Sequence, residues 1–186
     1  LDYRILNHTG SRLTLTPGIA VRFAEEKGPE PVVREFPALT LEPGVNSGIL
    51  SMRFDNVRPW SPEEPNLYFA MFYLRDGKTI AAARLERFGF RDFKTAGTGF
   101  QLNGRPYFLY SESVPSMFCG GWDTADGFHH SQYEKMDGYR RKGYNIFRNP
   151  HQPIDPLVLD YADEIGLMVY NEWGFCFLPK IDEKAF

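Results

Sequence analysis

Near Gly99 the hydrophobic pattern of the chain changes its period. Before that point, short apolar runs alternate with polar residues, as in Arg12-Leu13-Thr14-Leu15-Thr16. A period of two suits strands with one buried face. The runs "LDYRILNH", "SRLTLT", "IAVRFAE", "PVVREF", "GILSMRFD", "NLYFAMFYL" and "TIAAARLERFGF" are separated by Pro/Gly punctuation such as "GPEP" and "LEPG". Asp76-Gly77, between two apolar runs, marks a hairpin because a primed turn needs positive φ. Residues 1–95 therefore read as an antiparallel β-sandwich. Both cysteines, Cys119 and Cys176, fall after this half, so no disulfide spans its sheets as in antibody domains.

After Gly99, strand-like and helix-like segments alternate. "YFLYSES" reads as a strand, expected near 107–111. "SQYEKMDGYRRKGY" reads as a helix with Tyr133, Met136, Tyr139 and Arg140 on one face, Ser131 as its cap and Gly143 as its end. "NIFRNP" is the next strand. "DPLVLDYADEIG" is the next helix, with Asp155 at the N-cap, Pro156 in the first turn and Gly166 at the end. "LMVYNEW" is a third strand. Such alternation implies parallel strands joined by crossover helices.

Composition narrows what the chain can do. Hydrophobic residues make up 42% and charged residues 24% of the 186, the balance of a globular protein. Net charge is -3 without a basic run, which argues against nucleic acid as a partner. No apolar stretch approaches the roughly 20 residues of a membrane helix, so no membrane partner is expected. The N-terminus "LDYRILNHTG" has neither a signal-peptide pattern nor an initiator Met, and is read as an excision point. Two cysteines make no disulfide framework, and both are expected as buried free thiols. Aromatic residues reach 16%, useful both for core area and for stacking on sugar rings.

In parallel α/β architectures, functional groups gather at the carboxyl ends of strands. Here all three strands end in polar clusters. Glu112 and Ser113 close the first, Arg148, Asn149 and His151 the second, and Asn171, Glu172 and Trp173 the third. Trp122 and Trp173 are candidates to stack on a sugar face, whereas Trp60 is expected to pack. His129 and His130 with Asp123 and Asp126 match no strong metal-site spacing, so neither metal nor cofactor is expected.

Five ordered motifs carry a resemblance. They are "PWSPEEPNLYFAMFYL", "RFGFRDF", "GFQLNGRPYFLYS", "GYNIFRNPHQP" and "LDYADEIGLMVYNEWG". Together they resemble glycoside hydrolase family 2, which contains β-galactosidases, β-glucuronidases and β-mannosidases. The resemblance is diffuse before Trp60 and specific after it. It implies an immunoglobulin-like antiparallel β-sandwich over residues 1–95. Residues 96–186 would then be the first three βα units of an incomplete (β/α)8 TIM barrel. A jelly roll would precede Leu1 and five barrel strands would follow Phe186. The chain is thus read as a fragment whose partners are a carbohydrate substrate and the remaining domains of its parent polypeptide, with the oligomeric state left open.

The resemblance also implies a chemistry. Glycosidases of the retaining type use two carboxylates roughly 5–5.5 Å apart. In the family, the acid/base is a Glu after an Asn at the fourth barrel strand and the nucleophile is a Glu near the seventh. Both would lie beyond residue 186. Asn171-Glu172 imitates the Asn-Glu pair but ends the third strand, where the family carries Asp-Glu. Glu172 is left with three readings: acid/base, an acid that touches the substrate or supports a group that does, or structural carboxylate. Arg148 matches the arginine that hydrogen-bonds the nucleophile, and a fixed guanidinium holds a nearby carboxylate ionised. His151 matches a histidine near the sugar hydroxyls, and Asn149 is a further candidate for substrate binding. Ser113, Val114 and Pro115 depart from the Asn-x-His or His-x-Glu segment common after the first strand, which leaves sugar specificity open. Some members hold magnesium after the third strand; Cys176 and Leu178 stand there, and no such site is expected. The rival readings are a non-catalytic carbohydrate-binding or structural sandwich module, and a parent that has lost its carboxylates.

Overall fold

In the computed structural model, which describes residues 2–24, 30–113, 125–150 and 154–172, the chain divides into two units. The first comprises Leu1–Arg58 and Asn66–Phe90, the second Pro59–Pro65 and Arg91–Phe186.

The first unit is built from strands β1 (Asp2–Asn7), β2 (Leu13–Phe23), β3 (Val32–Glu35), β4 (Leu39–Leu41), β5 (Gly44–Ile49), β6 (Tyr68–Asp76) and β7 (Thr79–Phe88), all pairing antiparallel. One sheet runs β3-β2-β6-β7 with β4 also on β2, and β1 pairs with β5. Alternate residues Ile19, Val21 and Phe23 of β2 meet Tyr68 and Ala70 of β6 in the core. Tyr68 packs edge-on against Phe23 and Phe90 at ring distances of 5.2 and 5.3 Å. Its hydroxyl accepts from the Arg58 N–H at 2.9 Å. The β6–β7 loop is the two residues Gly77-Lys78, and Gly77, at the first central position, has φ of 54°. That is the type II′ placement of glycine, whose twist matches the flanking strands.

Two expected strands, "SRLTLT" and "IAVRFAE", prove to be one. Pro17-Gly18, a turn signal in sequence, lies inside β2. A Cβ on Gly18 would fall 2.2 Å from the Tyr73 ring, so the glycine admits a cross-strand aromatic instead of a bend. The strand expected over "GILSMRFD" stops at Ile49. Met52 and Phe54 still alternate into the core, but their backbone joins no ladder. β4 has only three residues, too few to show a period.

The second unit opens with an antiparallel meander of β8 (Phe93–Ala96), β9 (Gly99–Leu102) and β10 (Arg105–Tyr107). Asn103 and Gly104 both have positive φ, the type I′ pattern of an Asn-Gly hairpin. A parallel sheet follows, in the order β11 (Ser111–Ser113), β12 (Ile146–Asn149) and β13 (Met168–Asn171). Helix α1 (Ala125–Arg141) lies between β11 and β12 in sequence, and α2 (Pro156–Ile165) between β12 and β13. Met136 of α1, Val158 and Ala162 of α2, Phe147 and Leu167 share one core. The Asp155 side chain accepts from Leu157 N–H at 2.8 Å, and Gly166 closes α2 in the left-handed region at φ of 72°.

Three expectations shift here. The first parallel strand is Ser111–Ser113 and not 107–111, because the I′ turn folds Arg105–Tyr107 back onto β9. Helix α1 begins at Ala125, which puts Ser131 inside it and not at its cap. Trp60 packs, being 3% exposed, but within the second unit: its indole N–H donates to the Asp163 carbonyl at 2.8 Å. No helix among the described residues is long and apolar enough to cross a membrane.

Candidate active site

The register of the parallel sheet decides which strand-end residues can meet. Arg148 aligns with Ser113 on one side and Tyr170 on the other, and Asn149 aligns with Asn171. Successive strand residues point to opposite faces. Phe147 is 1% exposed and packs on the helices, so Asn149 shares the helix side and Arg148 takes the other. Glu172, two residues past Tyr170, comes back to the side of Arg148. Its N–H donates to the Asn149 carbonyl at 3.2 Å, continuing the ladder one step beyond β13.

On that side the Arg148 Nε donates to Glu172 Oε1 at 2.6 Å. The arginine side chain is 40% exposed and the carboxylate 22%. A pair at this depth is screened less than a surface pair and escapes the full desolvation cost of a buried one. On the opposite side Asn149 is fully buried, and its Nδ2 donates to Asn171 Oδ1 at 3.2 Å. The expected group of Arg148, Asn149 and Glu172 therefore separates into two layers: an ion pair on the open face and an amide pair on the helix face. Tyr170, in register with Arg148 and 56% exposed, adds an aromatic to the open face.

Asn145 sets the strands that carry these groups. Its Oδ1 accepts from Tyr110 N–H at 2.9 Å and its Nδ2 donates to the Phe108 carbonyl at 2.7 Å. Its own backbone donates to the Tyr110 carbonyl and accepts from Met168 N–H. One residue thus ties the entries of β11, β12 and β13 together. The asparagine in "GYNIFRNP" was the available signal, since an amide supplies donor and acceptor at once.

The entry strap Pro59–Pro65 is fixed to the same unit. Arg140 donates to the carbonyls of Ile165 at 3.0 Å, Tyr144 at 3.0 Å and Pro62 at 2.7 Å. Asn103 Nδ2 donates to the Trp60 carbonyl at 3.0 Å, and the Tyr107 hydroxyl donates to Glu63 at 2.8 Å. Burial, then the Glu63 contact, pushes the Tyr107 hydroxyl well above the usual tyrosine range.

Of the other sequence candidates, His151, Trp122 and Trp173 lie outside the described residues, as do Cys119, Asp123, Cys176 and Leu178. Glu112 and Ser113 are placed by their backbone on β11. Among the described residues no group of three or more His, Cys, Asp or Glu is arranged to hold a metal. A cavity of about 610 Å³ lies in the first unit, lined by Ile19, Val21, Phe72 and Phe88 among others. It is apolar apart from Glu86 and has no convergent polar groups for chemistry, so the strand ends are the stronger candidate.

Comparison with known proteins agrees with this architecture. Residues 19–91 match glycosyl hydrolases family 2. A beta-galactosidase of Arthrobacter sp. (strain B7) is 30% identical over 161 residues, which is 86% of this chain and 15% of that protein. The structure of Bacteroides uniformis beta-glucuronidase 2, covalently bound to cyclophellitol-6-carboxylate aziridine, is similar with a TM-score of 0.67. It is 21% identical, and the match covers 93% of this chain and 21% of that one. The GH2 beta-galacturonidase from Eisenbergiella tayi, bound to galacturonate, is similar with a TM-score of 0.70 at 24% identity, over 93% of this chain and 29% of that one. The chain spans 11–15% of the length of the curated relatives it matches.

Proposed function

Since the chain belongs to glycosyl hydrolases family 2, we propose that it is part of a retaining glycoside hydrolase that cleaves β-linked glycosides in carbohydrate catabolism. In this reading the first unit, Leu1–Arg58 with Asn66–Phe90, is an immunoglobulin-like sandwich, and the parallel strands of the second are the start of a TIM barrel. The two catalytic carboxylates lie beyond residue 186, and the partners are a carbohydrate and the remaining domains of a longer polypeptide. The activities named for the curated relatives, a "Putative beta-glucuronidase" and a "Beta-galactosidase", point to β-galactosides and β-uronides as the first substrates to try.

One observation carries the reading. Arg148 and Glu172 meet at 2.6 Å on the side of a parallel sheet that its helices leave open, at the carboxyl ends of neighbouring strands. In a closed barrel that side faces inward and that end holds the active site. Arg148 would present donors to the nucleophile carboxylate and favour its ionised form. His151, Trp122 and Trp173 would contact the sugar, whereas Asn149, buried on the helix face against Asn171, is withdrawn from that role.

The test is turnover. The longer polypeptide carrying this chain should hydrolyse at least one of a chromogenic β-galactoside, β-glucuronide or β-mannoside, with retention of anomeric configuration. Residues 1–186 alone should hydrolyse none, because both carboxylates must be held in one site. Turnover by residues 1–186 that Glu172→Gln abolishes would instead make Glu172 the acid/base.

A further inference from the structure

We infer that Glu172 is a positioning residue for Arg148: its carboxylate holds the guanidinium by Nε and sets the plane in which the terminal nitrogens face the cleft. The inference rests on the glycosidase reading and deepens it, since it assigns Glu172 neither the acid/base role nor a sugar contact.

Three observations support it. The contact uses Nε, the guanidinium nitrogen nearest the stem, at 2.6 Å. The guanidinium is planar, so holding Nε fixes where the two terminal nitrogens point. Second, the carboxylate is the less exposed partner, 22% against 40%. The arginine is thus the member of the pair that is more open to a ligand. Third, Glu172 is held by backbone, its N–H bonded to Asn149 O in the ladder that carries Arg148. Both ends of the pair therefore move with one pair of strands. An unanchored arginine at a cleft would keep about 2 kcal/mol of rotamer entropy, which must be lost whenever it serves a ligand. An anchor removes that cost before substrate arrives, which is how preorganised contacts act.

The experiment is a double-mutant cycle on kcat and KM in the longer polypeptide, using the chromogenic glycoside that the wild type turns over fastest. Glu172→Gln should lower kcat about tenfold, with KM within twofold and the melting temperature nearly unchanged. In an Arg148→Lys background the same substitution should change kcat less than twofold, because the group it positions has gone. Equal fractional losses of kcat in both backgrounds would overturn the inference, as would a loss confined to KM. If Glu172→Gln does not fold, Glu172→Asp is read in the same cycle, with the same pattern expected and the same pattern overturning it. A wild type that turns over none of the panel overturns the glycosidase reading, and this role with it. An active wild type with an additive cycle overturns the role alone.

Discussion

Trp60 and Asp163 lie 103 residues apart in sequence and are joined by a hydrogen bond of 2.8 Å from the indole N–H to the backbone carbonyl. The bond binds the strap Pro59–Pro65 to the end of α2. Trp60 also lies beneath Arg91, whose guanidinium sits 5.3 Å from the ring centroid, and its own carbonyl accepts from Asn103. Trp60→Phe keeps most of the ring area but loses the indole donor. The expected cost is about 1–3 kcal/mol, the range for withdrawing a donor from a buried group. Trp60→Ala should cost about 3–5 kcal/mol by leaving a cavity. Urea unfolding of both variants measures the difference; equal stability of Trp60→Phe and wild type would show the bond to be idle.

Gly166 offers a cleaner measure of the same strap. It has φ of 72°, and a Cβ there would fall 2.2 Å from the Pro62 carbonyl oxygen. Gly97 has a similar φ of 60° but nothing within 4 Å. Gly97→Ala should therefore show only the left-handed backbone cost, about 1–2 kcal/mol. Gly166→Ala should show that cost and the displacement of the strap besides, and so be the more destabilised by at least ~1 kcal/mol, the lower end of what overpacking costs. Thermal melts of the two variants side by side decide it.

Much of this was open to a reader of the sequence. The short runs between turn signals located β1, β3, β6 and β7, because Pro, Gly or Asn stands at or near the ends of each. The caps Asp155 and Gly166 located α2, because capping chemistry is local. What could not be read was decided by partners distant in the chain. Pro17-Gly18 looks like a turn until Tyr73 lies across it. Ser131 looks like a cap because nothing before it shows a helical period, yet α1 starts six residues earlier. At the site, the three polar strand ends were visible, but not that Arg148 and Asn149 face opposite ways. Adjacent residues on a strand must do so, and a motif written as a string hides it.

Asn145 should be intolerant even of close relatives. Asn145→Asp keeps an acceptor for Tyr110 N–H but turns the donor facing the Phe108 carbonyl, now at 2.7 Å, into a second acceptor. Two oxygens would then face each other at hydrogen-bond distance. The expected loss is about 1–3 kcal/mol, and amide exchange of Tyr110 and Met168 should quicken together, since both strand entries depend on this residue. A variant that loses stability without faster exchange at those two amides would separate Asn145 from the register.

Tyr161 gives a pH signature at the alkaline end. Burial, then its hydrogen bond to Asp137 at 2.8 Å, pushes its hydroxyl up to about 12 from an ordinary value of 10.0. A raised value favours the protonated form in the folded state. Its contribution to stability is therefore fully present below pH 10 and is lost as the pH climbs from 10 towards 12. Absorbance at the tyrosinate band should show a late step that Tyr161→Phe removes. Stability of wild type should also fall more steeply than that of Tyr161→Phe over the same interval. Identical slopes would mean that the hydroxyl titrates normally.

The last prediction concerns Arg148 in the longer polypeptide. Arg148→Lys keeps the positive charge, so long-range attraction for a carboxylate survives. It removes the planar fork, and with it both the Nε donor now bonded to Glu172 at 2.6 Å and the terminal donors whose direction that bond sets. If the guanidinium serves a nucleophile carboxylate through those directed donors, the loss belongs to the transition state more than to substrate binding. Turnover should fall by about 10²–10³, the range for losing one preorganised donor, while KM moves little. Stability should change far less, because the pair is partly open to solvent at 40% and 22% exposure and exposed ion pairs contribute about 0–1 kcal/mol. Steady-state kinetics and a thermal melt of the same preparation test both halves. Turnover kept within threefold of wild type, at an unchanged melting temperature, would leave Arg148 outside the chemistry. A large drop in melting temperature with turnover preserved at low temperature would make it a brace of the sheet.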